Sequence, residues 1–242
     1  KLVQDEAEYL ICREVNLEED RVIVLASENF HSGVVGIVAS RVVEKYFRPA
    51  VLIALENGVG KGSGRSIPHF NLHRAFTECT RYLTQFGGHA YAAGLTINEN
   101  NLDLFRNAIN EVGRRILSDE NLVPELFLDE SIKISEIDAT LHEQVTFLEP
   151  FGAENPSPVF LVQNISVYGL KRIGREESHV RFQAVQGDAR IDAVGFNLAE
   201  EFTSIDEKLD KVDLACEFQV NDWGGRNKLE LKVLDLRYSV EK

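Results

Sequence analysis

No apolar run in this chain approaches the roughly 20 residues that cross a bilayer, and no secretory leader opens it. A membrane partner is therefore not expected, and a reducing, cytoplasmic setting is. Cysteine is scarce: Cys12, Cys79 and Cys216 are odd in number, scattered and without C-x-x-C spacing. That excludes a disulfide framework and a zinc knuckle and leaves free thiols, expected to be buried. Methionine is missing altogether and the first residue is Lys1, which together suggest a piece of a longer protein. Internal repeats and low-complexity tracts are absent, so solenoid and disordered architectures drop out. Hydrolytic metal sites need clustered carboxylates, and the chain has no D-x-D, D-H-H or H-E-x-x-H. His69 and His73 are four apart, but no third ligand stands at a telling distance, so a capping or surface role is expected. No metal ligand set and no complete catalytic centre are therefore expected in this chain.

What is present is a globular composition, 44% hydrophobic and 27% charged over 242 residues, enough for one large domain or two of ordinary size. The net charge of −13 at first speaks against nucleic acid. Its distribution speaks otherwise. From Asn57 to Asn98 the only acid is Glu78, against Lys61, Arg65, Arg74 and Arg81, so this window carries +3. Two glycine-rich stretches lie inside it, KGSGRS at 61–66 and FGGHAYAAG at 86–94. Fixed glycine costs backbone entropy and needs a reason. Tight turns are one; close approach of backbone N–H groups to an anion is the other.

Along the chain, residues 1–16 read as the end of a polar amphipathic helix. A short buried strand (Arg21–Ser27) precedes a helix of about Ser32–Tyr46, where Val34, Ile37, Val38, Val42 and Val43 recur at helical spacing. Pro49 stops it and Ala50–Leu55 is a second buried strand. This β-α-β order favours a parallel pair with a right-handed crossover. GKGSGRSI is an adjacent strand. NLHRAFTECTRYLTQF reads as a second helix with Leu72, Phe76, Cys79, Leu83 and Phe86 on one stripe, capped by Gly87–Gly88. A strand, AYAAGLTI, and a third helix follow. Beyond a connecting unit (Phe127–Leu148) and a proline-rich boundary loop, five strands alternate apolar and polar residues, with a polar helical segment from Leu198. The expected fold is α+β: an α/β domain at 17–126, a linker at 127–158 and an all-β, five-stranded OB-type barrel at 159–242.

Several residues in the basic window can carry chemistry. On an extended strand Lys61, Ser63 and Arg65 project from one face, with Gly64 and Ser66 beside them. Such a set can grip one phosphate, Arg by its fork, Ser by its hydroxyl and Gly by open backbone; a β-turn with solvated cations has the same sequence. Gly87, Gly88 and His89 fit either a helix cap with a buried histidine or a donor to a phosphoryl oxygen. His31, beside Ser32 and Gly33, fits either an N-terminal cap or an anion contact at a helix start.

FHSGVVGIVASRVVEKYFRPAVLI, KGSGRSI and FGGHAYAAGLTI resemble the DHH-associated domain of the RecJ-type single-strand-specific exonuclease family. LEPFGAENPSPVF, HVRFQAVQGDARIDAVGFNLAE and VDLACEFQVNDWGGRNKLELKVLDLR are similar to the linker and OB domain that follow in the same family. The likeness runs over nearly the whole chain in the right order. It implies a 5′–3′ exonuclease of single-stranded DNA, acting in repair and recombination, whose Mn²⁺ or Mg²⁺ ions sit on an N-terminal DHH domain outside this chain. Residues 1–16 would then be the end of the helix that joins the two parts. By motif position Ser63 and Arg65 would hold the terminal or scissile phosphate. Gly87, Gly88 and a supporting His89 would line the same cleft, with His31 beside it. Single-stranded DNA is the partner implied, with a single-strand-binding protein as a further one. Phe30 stands where the family often has Trp, and Tyr91 where it often has Met.

Residues 129–242 carry 13 basic and 22 acidic residues, so a DNA face on the barrel would rest on few groups. These are Lys171, Arg172, Arg175, Arg181, Arg226 and Lys228, with Trp223 and Tyr168 for stacking. A barrel that only buttresses the enzyme is the other reading. Two rival functions remain: a non-catalytic single-strand-binding module, and a phosphoesterase of nucleotides or short oligonucleotides.

Overall fold

β1 (Ile23–Ser27), α2 (Val35–Tyr46) and β2 (Ala50–Glu56) follow α1 (Leu2–Glu14), and β1 and β2 pair in parallel. The β-α-β unit read from hydrophobic spacing is therefore present in this computed structural model, which describes residues 2–152, 154–207, 210–221 and 228–239. The chain divides between Glu125 and Leu126 into two compact units.

In the first unit β2 turns back through Asn57 and Gly58, both at positive φ, into β3 (Val59–Arg65). Asn-Gly is the hairpin pair that tolerates this geometry best. Then come α3 (Leu72–Glu78), a 3-10 turn (Thr80–Tyr82), β4 (Leu83–Gly88), β5 (Ala92–Asn98) and α4 (Leu102–Ile116). The sheet order is β1-β2-β3-β5-β4, antiparallel beyond β2. One face packs Ile23, Leu25, Ala50 and Leu52 against α1 and α2. The other packs Val51, Ile53, Leu95 and Ile97 against Phe76, Phe105 and Ile109. Where β1 begins, Asn110 of α4 stands in for a strand: its buried carboxamide accepts from the Arg21 and Val22 amides at 2.8 and 2.9 Å and donates to the Val22 carbonyl.

The second helix is shorter than expected. The helix read over residues 71–86 ends at Glu78, and Leu83–Gly88 is a strand. Gly87 and Gly88 thus pair with Gly94 and Ala93 and do not cap a helix. The apolar stripe continues in both conformations, because Leu83 and Phe86 reach the same core that Leu72 and Phe76 fill. What decides is β5, which would otherwise present an unpaired edge.

The second unit is the five-stranded barrel. β7 (Phe160–Ile173), β8 (His179–Gln186), β9 (Ala189–Gly195), β10 (Val212–Asn221) and β11 (Lys228–Tyr238) close through β7–β10 and a parallel β9–β11 pair. The preceding segment folds onto this barrel. β6 (Glu130–Ser131) runs parallel to β7, and Ile134 is buried in the barrel core ahead of α5 (Ala139–Thr146). Residues 198–205, expected as helix, form successive turns that bury Ala199 and Phe202. Of the thiols, Cys79 and Cys216 are buried, and burial pushes them up to about 11 and about 12. Cys12 is exposed, contrary to expectation, on the outward face of α1.

Asp213 ties β10 to its neighbours. Burial pushes its carboxyl up. Bonds from the Ser239 hydroxyl (2.6 Å), the Asn164 amide (3.0 Å) and Arg237 (3.2 Å) outweigh that and hold it below the usual range. A lowered pKa gives stability that is complete above the unfolded value of about 4 and is lost as pH falls through the folded one. Asp213→Asn should therefore cost about 1–3 kcal/mol at neutral pH. Thermal unfolding of both proteins from pH 7 to pH 2 should show the gap closing only in the acid range; a gap independent of pH would clear Asp213 of this role.

Candidate nucleotide-binding site

β3 is the central strand of the first sheet, so its two faces meet different neighbours. Gly60, Gly62 and Gly64 face the α3–α4 core. A Cβ on Gly60 would lie 2.5 Å from Ile53 and 2.9 Å from Ile97; on Gly64 it would press Leu72 and Phe76. These glycines are there because the core leaves no room, and β3 is paired on both edges. The open-backbone role expected for Gly64 is therefore replaced by a packing one.

Lys61, Ser63 and Arg65 take the opposite face, as the alternation requires. Arg65 Nη1 donates to Ser63 Oγ at 3.0 Å and to the Gly64 carbonyl at 2.8 Å, which aims the guanidinium along the strand. The first turn of α2 lies against this pair. A Cβ on Gly36 would stand 3.0 Å from Arg65 Nη2 and 3.1 Å from Ser63 Oγ. No side chain caps the α2 N-terminus. Positive helix end, guanidinium and hydroxyl thus converge, and among the described residues no carboxylate pairs with Lys61 or Arg65. Such an arrangement has the chemistry to accept an anion. Gly36 was not singled out from sequence; its signal is a lone glycine inside a helical pattern.

The second glycine stretch reaches the same face from across β5. Ser63 stands opposite Gly94, and Gly94 opposite Gly87. Two inter-strand steps separate Ser63 from Gly87, roughly 10 Å. A Cβ on Gly87 would meet nothing within 4 Å, and one on Gly94 only the Gly62 carbonyl at 3.7 Å. Gly94, also missed from sequence, leaves the sheet bare beside Ser63. Gly88 is different: its φ of 139° and a 2.5 Å approach to Ala92 demand glycine for the hairpin. His89 is exposed at the hairpin tip, its amide donating to the Ala92 carbonyl at 2.8 Å. Ser66 donates its hydroxyl to Phe70 O at 2.6 Å and so shapes the following turn. His31 lies before α2, where its Nδ1 accepts from the Gly33 amide at 3.1 Å. It shares a cleft of about 600 Å³ with Lys61.

The barrel cations are largely spoken for. Arg172 pairs with Glu200, Arg181 with the buried Glu230 and Lys228 with Asp192. Lys171 and Arg175 are exposed, and Tyr168 lies in a groove beside Asp206 and Glu207. Trp223 and Arg226 lie outside the described residues.

Comparison with known proteins follows this division. A DHHA1 domain matches residues 19–114 and a RecJ OB domain matches residues 128–235. Together the two domains cover most of the chain, which is similar to RecJ exonucleases over nearly its whole length. Among curated relatives, the single-stranded-DNA-specific exonuclease RecJ of Bacillus subtilis is 33% identical over 91% of this chain and 28% of its own length. Its Escherichia coli namesake is 28% identical over 91% of this chain and 39% of its own. The crystal structure of Thermus thermophilus RecJ with Mn²⁺ matches 97% of this chain and 34% of that one, with a TM-score of 0.75 at 26% identity; one with Mg²⁺ has the same TM-score at 27% identity. The chain thus spans about a third of the length of these RecJ proteins. Its own residues do not fit the metals: among those described, no group of three His, Cys, Asp or Glu could hold an ion.

The two kinds of glycine should separate in stability. Gly60→Ala forces a methyl onto Ile53 and should cost about 1–3 kcal/mol. Gly87→Ala meets open space and should gain about 0.5–1 kcal/mol by stiffening the unfolded chain. Denaturant unfolding of the two variants checks the sign of each.

Proposed function

We propose that this chain is the substrate-gripping part of a metal-dependent, single-stranded-DNA-specific 5′–3′ exonuclease, with Ser63 and Arg65 holding the terminal or scissile phosphate. The observation that carries this reading is their convergence, free of carboxylates, on the uncapped first turn of α2. Arg65 supplies charge and a planar fork, Ser63 orients it, and the helix end adds partial positive charge. The bare Gly87–Gly94 surface beside them gives a sugar–phosphate backbone room to approach. His31, before α2, and His89, at the tip of the β4–β5 hairpin, would flank this path. The metals that activate water for hydrolysis would be held by other residues of the complete enzyme; this chain binds and orients the strand.

The barrel serves mainly as a buttress in this reading, since three of its five described candidate cations already face carboxylates. Phosphate contacts, not base contacts, would then dominate affinity. That disfavours a stand-alone OB binding module. A single-strand-binding protein is the protein partner this reading carries with it, in the cytoplasm.

Binding of a 5′-phosphorylated oligothymidylate tests the assignment. Arg65→Ala should weaken it at least tenfold, since a charge-assisted phosphate contact contributes about 1.5–3 kcal/mol. Binding should also fall with added salt. Unchanged affinity for Arg65→Ala would remove the residue from the site. Loss confined to Lys171→Ala and Arg175→Ala would favour the barrel as the binding surface.

A further inference from the structure

Beside the phosphate-holding pair lies a cleft that the proposed grip does not use. It opens at the carboxyl ends of the parallel strands β1 and β2, the position where α/β sheets commonly take ligands. The β1–α2 connection supplies Glu28 and His31, the end of β2 supplies Glu56, and β3 supplies Val59 and Lys61. Its volume of about 600 Å³ falls within the range of small-molecule sites. Phe30, buried to 5% exposure, Ala54 and Leu55 form an apolar wall.

The charges of this cleft are ordered. Lys61 shares a strand face with Ser63 and stands two residues, about 7 Å, from it. Glu28 and Glu56 lie in the cleft with Lys61, and among the described residues neither carboxylate has an ion-pair partner. Positive charge therefore sits toward the phosphate site, and uncompensated acceptors sit with an apolar wall in the cleft. A second phosphate would be repelled there. A flat ring bearing an N–H₂ donor would be accepted. His31 adds one more directed group: because Nδ1 accepts from the Gly33 amide, the neutral ring carries its proton on Nε2.

We propose that this cleft is a base subsite for the nucleotide whose phosphate rests on Ser63 and Arg65, and that it favours bases with an exocyclic amine, which Glu28 or Glu56 accepts. The inference rests on the phosphate reading given above and adds a base preference to it. Acceptance by a carboxylate is how cytosine N4 is distinguished from a carbonyl oxygen in base readout generally.

Titration calorimetry on this chain with dCMP, dUMP, deoxyribose 5-phosphate and inorganic phosphate tests it, because dCMP and dUMP differ in the amine and not in size. We expect dCMP to bind at least fivefold tighter than dUMP, and Glu28→Gln with Glu56→Gln to bring the two within twofold. Equal affinity for dCMP and dUMP would overturn the base preference, and nucleotides binding no tighter than deoxyribose 5-phosphate would overturn the subsite. In both cases Arg65→Ala would still abolish phosphate binding, and the grip would stand. If Arg65→Ala leaves inorganic phosphate binding unchanged, or the wild-type chain binds none of the four, the grip falls and the subsite with it.

Discussion

The alternation of β3 is the constraint from which the candidate site follows. A central strand must bury one face, and here that face has so little room that three glycines occupy it. Every other residue is thereby released to the opposite side. Lys61, Ser63 and Arg65 therefore share one surface, with the spacing of a strand and the stiffness of a paired sheet. A loop carrying the same residues would have to order them on binding, at an entropic cost the sheet has already met during folding.

The glycines of this unit divide by physical cause. Gly60, Gly62 and Gly64 exist for close packing and Gly88 for a positive φ. Gly87 and Gly94 satisfy neither requirement, since a side chain would meet almost nothing there. Gly36 is a fourth kind: it lets a helix N-terminus approach a guanidinium and a hydroxyl at contact distance. Seen together, the folded core and the open surface make opposite demands on one residue type, within one sheet.

The barrel presents a contrast. It is acidic, and Arg172, Arg181 and Lys228 are paired within it, with Glu230 also accepting from Gln219 and Asn221. Cations already neutralised by neighbours contribute little to a counterion-releasing contact with a polyanion. The basic window of the first unit, with Lys61 and Arg65 unpaired among the described residues, is where an anionic strand would be drawn.

Much of the architecture was legible in hydrophobic spacing. The β-α-β unit showed in the apolar run of β1, the helical recurrence at Val38 and Val42 and the run of β2. The barrel strands showed in period-two alternation, as in Val212–Leu214–Cys216. Family likeness was carried in the first unit by KGSGRS and the FGGHAYAAG block, and in the second by LEPFGAENPSPVF and the HVRFQAVQGDARIDAVGFNLAE block. What the sequence could not decide was Leu83–Gly88. Its apolar residues suit a continuing helix as well as a strand, and only the need of β5 for a partner chose between them. Likewise the text of KGSGRS allowed either a turn or a strand, and either an open or a packed glycine. By itself the sequence determined which residues are apolar, where the chain can turn, and that Lys61, Ser63 and Arg65 alternate with glycine. Tertiary structure alone decided which face of that alternation meets the core, because burial depends on neighbours from distant parts of the chain: Ile53, Ile97 and Phe76 on one side, Gly36 of α2 on the other.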